Sequence, residues 1–170
     1  MLSKVLEKST CAECRFCCSF KRGSLWETPL FPKETVERLK KDRNVDFVLD
    51  ETEGYEYGRM SLEGEYRTED ENEETPCMFL DGSRGCVLSD EDKPFDCKIW
   101  PLRIMRDGGE LVIALTPTCP AINRVPLERM KELVEEGLGD TIYDYAARHP
   151  FIIKQYREGF PVLMRRNGGN

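Results

Sequence analysis

The spacing of apolar residues predicts several short helices along the chain. Residues 32–42 start with a proline, carry acidic residues early and basic residues late, and place Val36 and Leu39 on one helical face. That distribution complements the helix dipole and is typical of an amphipathic helix. The same spacing predicts further helices over residues 2–9, 126–137 and 140–148, with Gly137 as an end signal and Asp140 as an N-cap.

Alternation of apolar and polar positions predicts strands in the middle of the chain. Val45, Phe47 and Leu49 alternate with polar residues at the start of an extended stretch over 45–68. The clearest predicted hairpin has an almost wholly apolar second strand, which indicates a central place in a sheet. The hairpin strands are residues 102–106 and 111–116, and a shorter hairpin or knuckle is predicted over 76–88.

The charge distribution excludes some classes of partner. The chain has 32 acidic and 25 basic residues, a net charge of −7, which argues against nucleic acid as a partner because nothing offsets phosphate repulsion. Residues 63–74 contain seven acids and one base. This pattern favours a solvated loop and leaves open an acidic docking surface for a basic protein partner.

The apolar runs are too short for a membrane location. No stretch of 18 apolar residues occurs, so we expect no membrane span. The first eight residues are too polar for a signal peptide, which predicts a cytoplasmic protein.

Cysteine is the unusual component of this chain, which has eight cysteines and one histidine. A reducing cytosol disfavours disulfides, so cysteines at this density are more typical of metal ligands. With a single histidine, the metal sites would be almost purely thiolate. Such ligands select zinc, iron–sulfur clusters or Cu(I).

The spacing Cys11-x-x-Cys14-x-x-Cys17-Cys18 carries the most specific signal. Three cysteines two residues apart, with a remote Cys-Pro, are typical of loops that hold a cubane iron–sulfur cluster. The remote candidate is Cys119, and we therefore predict a [4Fe-4S] cluster bound by Cys11, Cys14, Cys17 and Cys119. Zinc is the alternative, although zinc sites more often use two separated C-x-x-C pairs.

The remaining cysteines are further candidate metal ligands. In an extended segment the side chains of Cys17 and Cys18 would point apart, so that they serve different centres or one of them is simply buried. Turns and prolines surround Cys77, Cys86 and Cys97, which favours a ligand role over burial as small core residues. Eight thiols divide into two sets of four, but the sequence leaves open which cysteine belongs to which set.

These segments together resemble the CxxCxxCC family of zinc- or iron-chelating domains, also called YkgJ-like. The likeness lies in the N-terminal motif, Pro76-Cys77, Gly85-Cys86, and Lys93-Pro94 followed by Cys97 and Trp100-Pro101. It spans about residues 11–120, with lysine at 93 and 98 where the family often has arginine. The resemblance implies metal or cluster binding. Some relatives carry the motif within flagellin lysine N-methylases, which suggests a link to protein methylation at the family level only.

The elements and the cysteines together predict an α+β fold, loop-rich and organised round cysteine metal sites, with short helices on a small antiparallel sheet. We expect one domain over residues 1–164 and a frayed tail over 165–170. The predicted function is binding of one or two thiolate-ligated centres. The alternatives are a structural zinc module for protein–protein contact and a metal-dependent enzyme or accessory factor linked to protein methylation; whether the chain is an enzyme stays open.

Overall fold

The computed structural model describes residues 10, 13–21, 24, 26–43, 45–61 and 73–167. The predicted helix over 2–9, the cysteine at position 11 and most of the acidic stretch lie outside this part. The chain divides into two compact units, Ser9–Lys98 and a second unit that includes Ile99–Asn170. We call them the cysteine-rich unit and the C-terminal unit.

The cysteine-rich unit contains small sheets and two helices. Its strands are β1 (Ser19–Lys21), β2 (Phe31–Pro32), β3 (Phe47–Thr52), β4 (Tyr55–Met60), β5 (Glu74–Pro76), β6 (Leu80–Asp81) and β7 (Gly85–Cys86). Its helices are α1 (Lys33–Arg43) and α2 (Phe95–Ile99), whose last residue falls in the C-terminal unit, and a 3-10 turn spans Phe16–Cys18. Strand β1 pairs with β5, β6 pairs with β7, and β2, β4 and β3 form a three-stranded sheet in that order, all antiparallel.

Helix α1 confirms the predicted amphipathic helix. It buries Val36 and Leu39, each 1% exposed, and carries Glu34 in its first turn and basic residues in its last. The buried face packs on a core in which the Phe31 and Phe47 rings lie 5.0 Å apart at a steep angle. Burial of this apolar face accounts for most of the stability of such a helix, because helices of this length are marginal alone.

The C-terminal unit is built on a four-stranded sheet. Its strands are β8 (Leu102–Asp107), β9 (Glu110–Leu115), β10 (Lys154–Gln155) and β11 (Val162–Asn167), in the order β10-β8-β9-β11. Strand β9 lies between β8 and β11, and Val112, Ile113 and Ala114 are fully buried, which confirms the predicted central strand. Only β10 and β8 pair in parallel among the described strands.

Two consecutive helices follow the hairpin of β8 and β9. Helix α3 (Leu127–Leu133) continues into a π-helical turn, Val134–Leu138, and α4 (Gly139–Arg148) begins immediately after it. Gly137 has φ 114°, a conformation that glycine adopts at little cost, so the predicted interruption at this residue is confirmed. Asp140 lies in the first turn of α4 rather than at its N-cap, because the helix starts at Gly139 and its N-cap is Leu138.

Residues 165–167 differ from the predicted frayed tail, and the rest of that tail lies outside the described residues. Residues Arg165, Arg166 and Asn167 continue β11 and pair with residues 110–112 of β9. Arg165 donates to Asp107 at 2.9 Å and to Glu110 at 3.0 Å, so its charge is matched at the sheet edge. That pairing explains why a basic segment extends a strand.

The structure is therefore a mixed α+β fold, as predicted at that level. The sequence predicts one small antiparallel sheet, whereas the described residues form four sheets distributed over two units. Within the described part of the chain, the helices lack the combination of length and apolar character that crossing a membrane requires.

Candidate metal centre

The N-terminal cysteine motif folds into a tight turn. Arg15 adopts a left-handed conformation with φ 52°, and the Cys18 N–H donates to the Arg15 carbonyl at 2.9 Å. The Cys17 thiol donates a hydrogen bond to the Cys18 sulfur. The sequence predicts that the side chains of Cys17 and Cys18 point apart, as they would in an extended segment. The structure corrects this, because a 3-10 turn brings consecutive side chains closer than a strand does.

The turn places the backbone of Cys18 next to that of Cys77. Strand β1 pairs with β5 in the register Ser19 to Pro76, and the Cys77 N–H donates to the Cys18 carbonyl at 2.7 Å, which extends that pairing by one position. Two segments nearly sixty residues apart in sequence are thereby joined at their cysteines. Both side chains are half-buried.

Cys77 also contacts a sulfur that the sequence did not single out. Its Sγ lies 3.9 Å from the Sδ of Met60, which is 2% exposed at the end of β4. The alternation of β4 places Met60 opposite Phe47 on the buried face, but no local sequence signal indicates the contact with Cys77.

Cys86 lies on the short hairpin that follows Cys77. It pairs with Leu80 in β6 and β7, and its side chain is exposed. The turn is fixed by the Asp81 carboxylate, which accepts from the Ser83 N–H at 2.8 Å, the Ser83 hydroxyl at 2.7 Å and the Arg84 N–H at 2.8 Å. These bonds hold the pKa of Asp81 well below its usual range. The predicted hairpin or knuckle is confirmed.

Cys97 is exposed on the short helix α2. The Pro94 carbonyl accepts from the Cys97 N–H at 3.0 Å and from the Lys98 N–H at 3.2 Å, so this segment is a compact turn. Lys93, just before it, acts electrostatically on Cys18.

The environment of Cys18 favours its thiolate. The hydrogen bond from Cys17 is the largest influence, followed by burial, which acts in the opposite direction, and by the positive charges of Lys93 and Arg15. Together they lower the pKa of Cys18 from 9.0 to about 7. The thiolate is the form that binds metals and attacks electrophiles. With a pKa of about 7, a large fraction of Cys18 is in this form near neutral pH.

Cys119 belongs to the C-terminal unit and is buried. Its carbonyl accepts from the Asn123 N–H at 3.0 Å, in the turn that precedes the 3-10 segment Ile122–Arg124. The six other described cysteines, Cys14, Cys17, Cys18, Cys77, Cys86 and Cys97, lie in the cysteine-rich unit. The assignment of Cys119 as the fourth ligand of the motif stays a prediction.

The donor chemistry of this region fits a soft metal, whereas a closed ligand set is not formed by the described residues. None of the seven described cysteines is in a disulfide. Within the same residues, which omit the cysteine at position 11, no three histidine, cysteine or acidic side chains are grouped as a metal ion requires. The structure places the Cys17 side chain beside Cys18 and joins the backbones of Cys18 and Cys77, while Cys14, Cys17, Cys86 and Cys97 are exposed.

Comparison with protein-family models, with curated proteins and with solved structures gives no match to this chain. Its fold and its thiols define it as an α+β protein of two units whose cysteines are concentrated in the first.

Proposed function

We propose that this protein binds one or two thiolate-ligated metal centres, with a [4Fe-4S] cluster as the preferred occupant and zinc as the alternative. The observation that carries the proposal is the junction at Cys18. This half-buried thiol has a pKa lowered to about 7, accepts a hydrogen bond from Cys17, and is joined through its backbone to Cys77. In the metal-free protein the hydrogen bond and the nearby positive charges favour the Cys18 thiolate, which is the form that binds metals.

In this proposal Cys11, Cys14, Cys17 and Cys119 hold the cluster, and Cys18, Cys77, Cys86 and Cys97 serve a second centre. The C-x-x-C-x-x-C spacing supports Cys11, Cys14 and Cys17, and the remote Cys-Pro step supports Cys119. The turns at Cys86 and Cys97 and the exposure of both side chains support a ligand role for these two residues. A bound cluster would supply one-electron transfer or a Lewis-acidic iron.

Metal binding would also stabilise the cysteine-rich unit. This unit contains two sheets of only two strands each, and an isolated two-stranded sheet is marginally stable at best. Binding free energy adds directly to folding free energy when the unfolded chain lacks the site. The proposal thus accounts for a loop-rich unit organised round its cysteines, and a reducing, cytoplasmic location would keep the thiols available.

The test is metal and sulfide analysis of protein purified without oxygen. A [4Fe-4S] protein is brown, absorbs near ~400 nm and contains iron and acid-labile sulfide in equal amounts. Cys14→Ser should abolish the colour and the iron, whereas Glu13→Gln in the same turn should retain both. Retention of full iron and sulfide by Cys14→Ser would remove the ligand assignment.

Zinc is supported by one specific observation, the hairpin of β6 and β7. Its tight turn, fixed by Asp81, presents Cys86 in the manner of a zinc knuckle. Colourless protein with stoichiometric zinc and no sulfide would establish this alternative and reject the cluster. In that case the function would be a structural module for contact with another protein.

A further inference from the structure

We propose that Cys18, Cys77 and Met60 form a site for a soft monovalent metal ion, of which Cu(I) is the biological example. The inference takes Cys18 and Cys77 from the second centre and leaves Cys86 and Cys97 outside the Cu(I) ligands. It rests on the proposed function only in keeping Cys18 and Cys77 out of the iron–sulfur cluster. It adds a thioether ligand from β4 that lies outside every cysteine motif in the sequence.

The first support is the distance between two sulfurs. The Sγ of Cys77 and the Sδ of Met60 are 3.9 Å apart. Two sulfurs bound to one ion at about 2.3 Å lie ~3.8 Å apart in tetrahedral geometry and ~4.0 Å apart in trigonal geometry. The two side chains therefore already have the separation of ligands that share an ion, and little rearrangement would be needed to bind one.

The second support is the position of Cys18. The antiparallel register of β1 and β5 continues to Cys18 and Cys77, whose backbones are joined at 2.7 Å. Cys18 is the last residue of the 3-10 turn, and its side chain is half-buried. Cys77 packs against the buried cluster that contains Met60. The backbone hydrogen bond therefore holds Cys18 beside Cys77, which contacts Met60.

The third support is the character of the donor set. Met60 is 2% exposed, so its thioether is shielded from water and would face an ion from the protein side. Thiolate and thioether ligands together select Cu(I), whereas structural zinc sites use thiolate and imidazole and iron–sulfur clusters use thiolates. Binding releases the two thiol protons, and two thiolates with one thioether complete a trigonal coordination of Cu(I).

The decisive experiment is X-ray absorption at the copper edge on full-length protein in which the methionines are replaced by selenomethionine. Metal-free protein is loaded with one equivalent of Cu(I) without oxygen. We expect copper–selenium scattering in the first coordination shell, together with copper–sulfur scattering. The selenium contribution should disappear in the labelled Met60→Leu variant and persist in Met105→Leu, which alters a fully buried methionine of the C-terminal unit.

Affinity provides a second readout. Competition with a Cu(I)-specific chromophoric chelator should show affinity reduced on the order of tenfold or more in Met60→Leu, because even residues that only orient metal ligands are worth about 10–100-fold. Met105→Leu should match the wild type. Leucine closely replaces methionine in volume, and circular dichroism verifies that the variant is folded.

Absence of copper–selenium scattering in the unaltered sequence overturns the proposal, as does equal Cu(I) affinity of Met60→Leu and wild type. The scattering measurement on the unaltered sequence needs no variant to fold, so it can overturn the proposal even if Met60→Leu is unstable. Iron and sulfide are measured on the protein as isolated, so failure of the cluster assignment is recorded separately from failure of the Cu(I) site.

Discussion

A side chain at Gly58 would clash with the Cγ2 atom of Val36, so β4 and α1 approach closely only because position 58 carries no side chain. Val36 is 1% exposed and belongs to the core that also contains Phe47 and Met60. This close approach therefore holds helix α1 against the sheet that contains Met60. Met60 in turn contacts Cys77.

We expect Gly58→Ala to destabilise the protein by about 1–3 kcal/mol, the usual cost of overpacking a filled core. Val36 is β-branched and has little rotamer freedom, so it cannot move aside cheaply. Urea denaturation measures the effect, with Gly82→Ala as control because a Cβ there meets nothing within 4 Å. Combining Gly58→Ala with Val36→Ala should cost less than the sum of the two single changes. Simple additivity would contradict a direct clash.

The lowered pKa of Cys18 predicts a pH profile for its alkylation. With a pKa of about 7 in place of 9.0, the rate of reaction with iodoacetamide should reach half its maximum near pH 7. Cys17→Ala removes the hydrogen bond that contributes most, so the midpoint should move toward 9. Mass spectrometry of the peptide that contains Cys18 measures the rate for this residue alone, on metal-free protein. An unchanged midpoint in Cys17→Ala would show that Cys17 is not the cause.

The same pKa shift predicts how stability depends on pH. A thiol with a lower pKa in the folded state binds fewer protons there than in the unfolded state, so its contribution grows as pH rises from about 7 to 9. It is lost as pH falls through the folded-state value. Unfolding free energy of the wild type should therefore rise over this window more steeply than that of Cys17→Ala.

Local patterns were sufficient to predict several elements. Helix α1 and the hairpin of β8 and β9 were predicted because their apolar spacing and turn residues lie within a dozen or so neighbours. The pairing of β1 with β5 could not be predicted, since it joins residues more than fifty positions apart and leaves no periodic trace. The parallel pairing of β10 with β8 could not be predicted either, because these strands are also far apart in the sequence.

The candidate site could also be predicted only in part from the sequence. Cysteine spacing identified the thiols as candidate ligands, but the relation of Cys17 to Cys18 depends on one left-handed residue, Arg15, that converts an extended segment into a turn. The role of Met60 depends on strand pairing and core packing together. Such contacts are set by tertiary structure, which a linear motif does not encode.

The Asp81 turn predicts a local effect on the hairpin of Cys86. Asp81→Ala removes an acceptor that holds the Ser83 and Arg84 N–H groups, so the hairpin should open more often. Amide exchange at Val87, whose N–H donates to Phe79 at 2.9 Å, should become faster, while exchange in β9 stays unchanged. Ser83→Ala, which retains both backbone bonds, should have a smaller effect. Equal exchange at Val87 in Asp81→Ala and wild type would contradict a turn held by this carboxylate.

Cys119 allows the ligand set of the cluster to be tested against simple core packing. In the proposed function Cys119, which is buried, is the fourth ligand of the cluster. We expect Cys119→Ala to lose iron and sulfide to the same extent as Cys14→Ser, because a cubane cluster held by three of its four cysteines is labile. Alanine leaves only a small cavity, so the thermal midpoint of the metal-free protein should fall modestly. Full iron content in Cys119→Ala, with only that modest loss of stability, would mean that Cys119 is a packing residue and that the fourth ligand must be sought among Cys18, Cys77, Cys86 and Cys97.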